Sequence, residues 1–155
     1  MNRDENNVFV RLQTNLTIFA NNVKMLHWNC KGNEFGAVHD GLTNDLYDKM
    51  TDDIDRVAEM MIRLSIRPLN LYEVVQIGEE NDIPVVSSNY LYQKEDVYKY
   101  IQKMLIEIIG NIEEALQVDM IQDVKNTGIR SDLEAMHNEY DIERRFKNAR
   151  RMLND

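Results

Sequence analysis

His27 and His39 lie in a stretch that reads His27-Trp28-Asn29-Cys30-Lys31-Gly32-Asn33-Glu34-Phe35-Gly36-Ala37-Val38-His39. They are two of only three histidines in the chain. Further on, Asp53-Ile54-Asp55-Arg56-Val57-Ala58-Glu59 sets Asp55 and Glu59 one helical turn apart, so their carboxylates share a face. Imidazole nitrogens with carboxylate oxygens suit a first-row transition metal such as iron, zinc or manganese better than calcium or magnesium. The stretch reads as a metal site, and the rest of the chain as its scaffold. Glu134 and His137 form another Glu-x-x-His pair. Metal sites inside a four-helix bundle need that motif on each of two helices. The second long helix carries Ile62 where the matching histidine would stand, so His137 reads as a surface residue.

Those residues need helices to hold them. Phe9, Leu12, Leu16, Phe19, Val23 and Leu26 recur at alternating steps of three and four, predicting a helix over about 7–30 capped by Asn6 or Asn7. It should stop near Lys31-Gly32. A second helix is expected over 35–65, with Val38, Leu42, Leu46, Met50, Ile54, Val57, Met61 and Leu64 apolar and Pro68 closing it. Its first steps are all four residues long. On a straight helix such a row drifts by about 40° per step. Either the stripe wraps round the helix, or a π-bulge absorbs one residue, a feature that often marks functional sites.

Residues 66–93 form a long connection, with a short helix over 70–77 ended by Gly78 and an extended run over 83–88. A connection of that length implies a crossover along a bundle rather than a hairpin. A third helix over 94–124 carries Val97, Ile101, Met104, Leu105, Ile108 and Ile112. A break at 126–128 precedes a fourth over 129–153, with Leu133, Met136, Tyr140, Phe146, Ala149 and Leu153 as its stripe. The expectation is an all-α, ferritin-like four-helix bundle over 7–155, with a short polar tail over 1–6 and a short helix in the long connection.

The 155 residues suit one domain with a sizeable core. A net charge of −9 opposes binding to bulk nucleic acid or anionic membrane and favours attraction of cations. One cysteine, Cys30, excludes an intrachain disulfide and fits a reducing compartment. No signal-peptide pattern or membrane-length apolar run is expected, so the predicted location is cytoplasmic.

The run His-Trp-Asn-x-Lys-Gly-x-x-Phe-x-x-x-His, followed by Asp-x-Val-Ala-Glu and Arg-Pro, resembles the Dps mini-ferritins, the DNA-binding proteins from starved cells. The motif likeness covers Leu26 to Pro68, and the helix plan extends it along the chain. The resemblance implies a hollow shell of twelve identical subunits, with ferroxidase sites shared across two-fold interfaces. There His27 and His39 of one subunit and Asp55 and Glu59 of its partner would bind iron, with Glu59 the strongest ligand. Such a protein oxidises Fe²⁺ with hydrogen peroxide or O₂ and stores ferric mineral in its cavity. The resemblance also places Trp28 beside the site as an oxidisable aromatic, and Asp123 and Asp132 at a three-fold pore.

Two departures from the family pattern stand out. Thr43 occupies a position where relatives carry a carboxylate four residues after the second histidine. His39 and Asp55 are also one residue further apart than usual. A bulge near Leu42 to Leu46 would restore the register and could bring Asp45 into the missing role. DNA binding is expected to be weak or absent, since residues 1–20 carry only Arg3 and Arg11 against Asp4 and Glu5. The basic run Arg144, Arg145, Lys147, Arg150 and Arg151 is equally a helix-dipole and solvation feature. The alternative is a non-catalytic shell, or a DNA-protecting protein, with the same fold and a degenerate metal site. For Asp55 and Glu59 themselves, which sit between Arg56 and Arg63, the plain alternative is surface ion pairing.

Overall fold

The computed structural model describes residues 3–153, with side chains from Asn6 onward. It is an all-helical, ferritin-like four-helix bundle with no strand among the described residues. The first long helix is α1 (Arg3–Asn29). The second is continuous in three parts: α2 (Phe35–Val38), a π-helical segment (His39–Asn44) and α3 (Asp45–Arg63). The short helix α4 (Leu71–Glu80) lies in the crossover. The third long helix is α5 (Lys94–Gln117), and α6 (Asp119–Gln122) leads into the fourth. The fourth comprises α7 (Thr127–Asp141), a second π-helical segment (Ile142–Asn148) and α8 (Ala149–Arg151). Helix α1 packs on α3, α5 and α4, and α5 packs on α7.

Every apolar position predicted for α1 is buried. The helix starts earlier than expected, at Arg3, so Asn6 and Asn7 lie within it rather than capping it. Of the proposed tail, residues 1 and 2 lie outside the described residues.

In the second helix Val38, Leu42, Leu46 and Met50 are all buried, and the π segment falls between the first and the third of them. A wider i→i+5 turn lets a four-residue spacing keep facing the core. The drift was therefore absorbed by a π turn rather than by wrapping. Helix α3 ends as expected before Pro68: Ser65 takes φ 60 and Ile66 N donates to Met61 O at 2.7 Å.

Two buried amides of α1 hold the crossover. Gln13 donates to Leu69 O and accepts from Leu69 N, while Asn22 donates to Pro84 O and accepts from Val86 N. In the extended run Asn22 thus serves Pro84 and Val86, while Ile83 N donates to Gly78 O and Ser87 O accepts from the Tyr92 hydroxyl. Helix α4 opens with a capping box between Asn70 and Glu73. It continues through Gly78 to Glu80, so Gly78 does not end it. Gly78 is buried facing Ile18, and a Cβ there would collide with that side chain.

Helix α5 stops at Gln117, earlier than the predicted 124, because Val118 turns to an extended conformation (ψ 144). Thr127 and Gly128 begin the fourth helix rather than breaking the chain. In that helix Leu133, Met136 and Tyr140 are buried as predicted, but Phe146 and Leu153 are exposed. The π segment over 142–148 rotates the register beyond Tyr140. Asn148 turns inward instead, donating to Tyr98 O and Gln102 Oε1.

Candidate metal centre

Gly32, at φ 109, turns the chain between α1 and α2, and Lys31 N donates to Tyr92 O at 2.9 Å. This tight reversal sets the end of α1 against the start of the second helix. The imidazoles of His27 and His39 stack there with centroids 3.7 Å apart, and Phe35 continues the stack on His39 at 4.9 Å.

The hydrogen bonds define how each ring presents itself. His27 Nδ1 lies 3.0 Å from His39 O and 2.9 Å from Thr43 Oγ1. A carbonyl can only accept, so Nδ1 carries the proton. The Thr43 hydroxyl donates to a helix carbonyl, with Val38 O at 3.0 Å and His39 O at 2.9 Å. Its oxygen lone pairs are therefore left facing the His27 N–H. His39 Nδ1 lies 2.7 Å from Asp40 Oδ1, which likewise accepts. In the neutral form of both rings Nε2 is then the nitrogen left with a lone pair. Metal-binding histidines are arranged in this way, with the second ring nitrogen donating to a carbonyl or carboxylate.

Asp55 and Glu59 are exposed on α3. Among the described residues neither takes part in an ion pair within the chain. Arg56 turns to Asp53 and Glu139 instead, and Arg63 to Asp132. The surface-pair reading of Asp55 and Glu59 is thus not what the fold adopts. The two carboxylates stand sixteen and twenty residues after His39. At a rise of about 1.5 Å per residue that places Asp55 roughly 24 Å along the helix from the histidines. Among the described residues no three histidine, cysteine, aspartate or glutamate side chains converge. One chain brings the histidines together and separates them from the carboxylates.

Asp45 is exposed immediately after the π segment, and the hydroxyl of Thr43, not the Asp45 carboxylate, meets His27. Trp28 is 58% exposed, with Lys24 Nζ 4.9 Å from its ring centroid. Cys30 is buried and its thiol donates to His27 O. Burial pushes the Cys30 thiol pKa up, so it is a weak thiolate former. His137 lies near Glu113 on the surface, and Glu134 pairs with Arg130 rather than joining it. Asp132 faces Arg63, and Asp123 accepts from Lys125 N at the head of a 3₁₀ turn.

One polar hub had no distinctive signature in the sequence. Asp53, 1% exposed, accepts from Lys49 at 3.0 Å, Arg56 at 3.0 Å and the Tyr140 hydroxyl at 2.7 Å. It ties α3 to α7 beside the exposed carboxylates. Burial first, and then the neighbouring Asp53 carboxylate, hold the Tyr140 hydroxyl well above its ordinary pKa. The only hint in the sequence was the density of charge on one face from Lys49 to Arg56.

No protein-family model matches the chain. Among curated relatives, the DNA protection during starvation protein of Helicobacter pylori is 26% identical over 110 residues, covering 68% of this chain and 76% of the relative. The protein of the same name from Porphyromonas gingivalis is 26% identical over 117 residues, covering 71% and 72%. Among solved structures, Dps from Staphylococcus aureus superposes with a TM-score of 0.82 at 15% identity, covering 99% of this chain and 97% of that one. The Vibrio cholerae Dps protein, described as a member of a broad superfamily of ferritin-like diiron-carboxylate proteins, gives 0.77 at 20% identity over 95% and 88%. In sequence over about two thirds of its length and in fold over nearly all of it, the chain resembles the Dps proteins.

Proposed function

We propose that the chain is a Dps-like ferroxidase that takes Fe²⁺ as substrate, oxidises it with hydrogen peroxide or O₂, and stores the ferric product inside a shell of its own copies. The observation that carries this reading is the division of the donor set. His27 and His39 present Nε2 at one end of the second helix, while the carboxylates of Asp55 and Glu59, unpaired among the described residues, lie about 24 and about 30 Å away at the 1.5 Å rise of a helix. A two-fold contact is isologous, so a second copy running antiparallel sets its carboxylates opposite these histidines and makes two equal sites at once. Asp45 stands near enough in sequence to serve as a weaker additional donor.

The roles of the residues follow from their chemistry. Asp55 and Glu59 supply anionic oxygens, which neutralise charge and favour the ferric over the ferrous ion. His27 and His39 supply neutral nitrogens and leave room for an oxidant to approach. Two Fe²⁺ each give one electron to peroxide. Its O–O bond breaks and, with two protons taken up, two waters leave. Trp28, next to His27 in the chain and largely exposed, would yield an electron in place of a released radical. The exposed acidic surface that accompanies a net charge of −9 draws Fe²⁺ toward the shell.

DNA does not enter this reading. Arg145 is paired with Asp141, Lys147 and Arg151 with Glu143, and Arg150 lies over Phe146, so much of the basic end is engaged within the chain. Among the described residues no helix is long and apolar enough to cross a membrane. We place the protein in the cytoplasm, where a reduced Cys30 and a supply of Fe²⁺ are both expected.

The test uses metal-free protein loaded with Fe²⁺ without oxygen and then given peroxide, with ferric absorbance followed for wild type and the double variant His27→Ala with Glu59→Ala. Fast oxidation in wild type that the double variant loses supports the shared site. Oxidation no faster than in protein-free buffer refutes it and leaves a non-catalytic shell. Light scattering should give a mass near twelve subunits of 18.3 kDa.

A further inference from the structure

Thr43 departs from the expected carboxylate, yet it is fully buried and faces the site. Its side chain makes three contacts: Val38 O at 3.0 Å, His39 O at 2.9 Å and His27 Nδ1 at 2.9 Å. These contacts join the π turn of the second helix to the last turn of α1. In an α-helix the side chain of a threonine commonly bonds the carbonyl four residues back. Here the π turn brings a second carbonyl, Val38 O, five residues back, within reach of the same hydroxyl.

We infer that Thr43 is a positioning residue for metal at His27. Its hydroxyl gives its proton to the π-turn carbonyls and accepts, together with His39 O, the Nδ1 proton of His27. This shared bond holds the ring in the tautomer whose Nε2 lone pair is free, and keeps the ring stacked on His39. The relative order of the two helices matters as much as the hydroxyl. Without the extra residue in the π turn, position 43 would rotate away from α1. The missing carboxylate and the one-residue longer spacing are then one adaptation: an acceptor behind the histidine replaces a charge in front of it. The inference rests on the metal-site reading above.

Cobalt(II) is the probe, because it reports binding through its visible bands without turnover. Metal-free wild type, Thr43→Val, Thr43→Ser and His27→Ala are titrated with Co²⁺ in the absence of oxidant. Thr43→Val keeps the shape and removes the hydroxyl, and should weaken binding about 10-fold, the low end for losing an outer-shell partner of a metal-bound histidine, because His39 O remains. Thr43→Ser restores the hydroxyl and should bind within about threefold of wild type, below the roughly 10–100-fold range for a lost outer-shell partner. A loss below about threefold in Thr43→Val, or equal weakness in Thr43→Ser, overturns the inference while Co²⁺ binding that depends on His27 leaves the metal site standing. Equal binding by wild type and His27→Ala overturns both.

Nitrogen-15 spectra of histidine-labelled, metal-free wild type supply a second readout that needs no variant to fold. Only three histidines must be resolved. A protonated Nδ1 and a bare Nε2 on His27 are expected. The reverse tautomer refutes the positioning role.

Discussion

Replacing Asp53 by alanine should destabilise the subunit by about 3 kcal/mol, at the lower edge of the range for breaking a buried ion pair. The figure follows from what each partner is left with. Lys49 and Arg56 are 24% and 34% exposed, and each has a second carboxylate in Glu139, at 3.4 and 3.6 Å. Solvent and Glu139 therefore absorb much of their loss. The Tyr140 hydroxyl has no such recourse. It is fully buried, donates only to Asp53, and would be left unsatisfied at a cost of about 1–3 kcal/mol. For a chain of this size the sum corresponds to a Tm lower by roughly 6–12 °C. Tyr140→Phe alone should cost about 1.5–3 kcal/mol, the worth of a hydrogen bond to a charged group. Urea unfolding at one fixed protein concentration measures each variant, since assembly makes apparent stability depend on concentration. The double variant should cost at least about 1 kcal/mol less than the sum of the singles, because each removes the same bond. A loss under about 1 kcal/mol for Asp53→Ala, or strict additivity, would refute the hub reasoning.

Three further outcomes are expected. The Tyr140 proton is held more tightly folded than unfolded, so stability should fall as pH rises above the ordinary value of 10.0, and Tyr140→Phe should lose less over that interval; urea midpoints across alkaline pH compare the two. Gly78→Ala should cost about 1 kcal/mol through collision with Ile18, despite the better helix propensity of alanine, and adding Ile18→Val, which removes the colliding atom, should recover most of it in the same unfolding assay. Arg67 and the Asn70 N–H lower the Glu73 carboxyl to about 2, so its contribution is present above the unfolded value near 4.5 and is lost as pH falls from there toward 2; hydrogen-exchange protection of α4 should drop over that window in wild type and not in Glu73→Gln.

Much of the architecture is carried by local pattern. The stripe from Phe9 to Leu26 requires one long amphipathic helix whatever its neighbours do, and all six positions are buried. The four-residue steps from Val38 to Met50 encode the π turn, because no regular α-helix keeps such a row on one face. Asn70 and Glu73 encode the start of α4 through a local capping box. The metal-site stretch is legible for the same reason, since its residue types and their helical spacing are properties of the chain alone.

Tertiary structure decided what depends on partners distant in sequence. Gly78, which looks like a helix stop, is a contact point because Ile18 arrives from another helix. Phe146 turns out and Asn148 turns in because a second π segment finds acceptors at Tyr98 and Gln102 on α5. Asp53 is one acidic residue among several until folding brings Tyr140 to it and leaves Asp55 and Glu59 unpaired among the described residues. Thr43 looks like a lost ligand in the sequence, and only the packing of the π turn on α1 places its hydroxyl at His27 Nδ1. The common physical reason is that periodicity records which face of a helix is apolar, whereas a buried polar group is defined by the hydrogen-bond partner another element delivers.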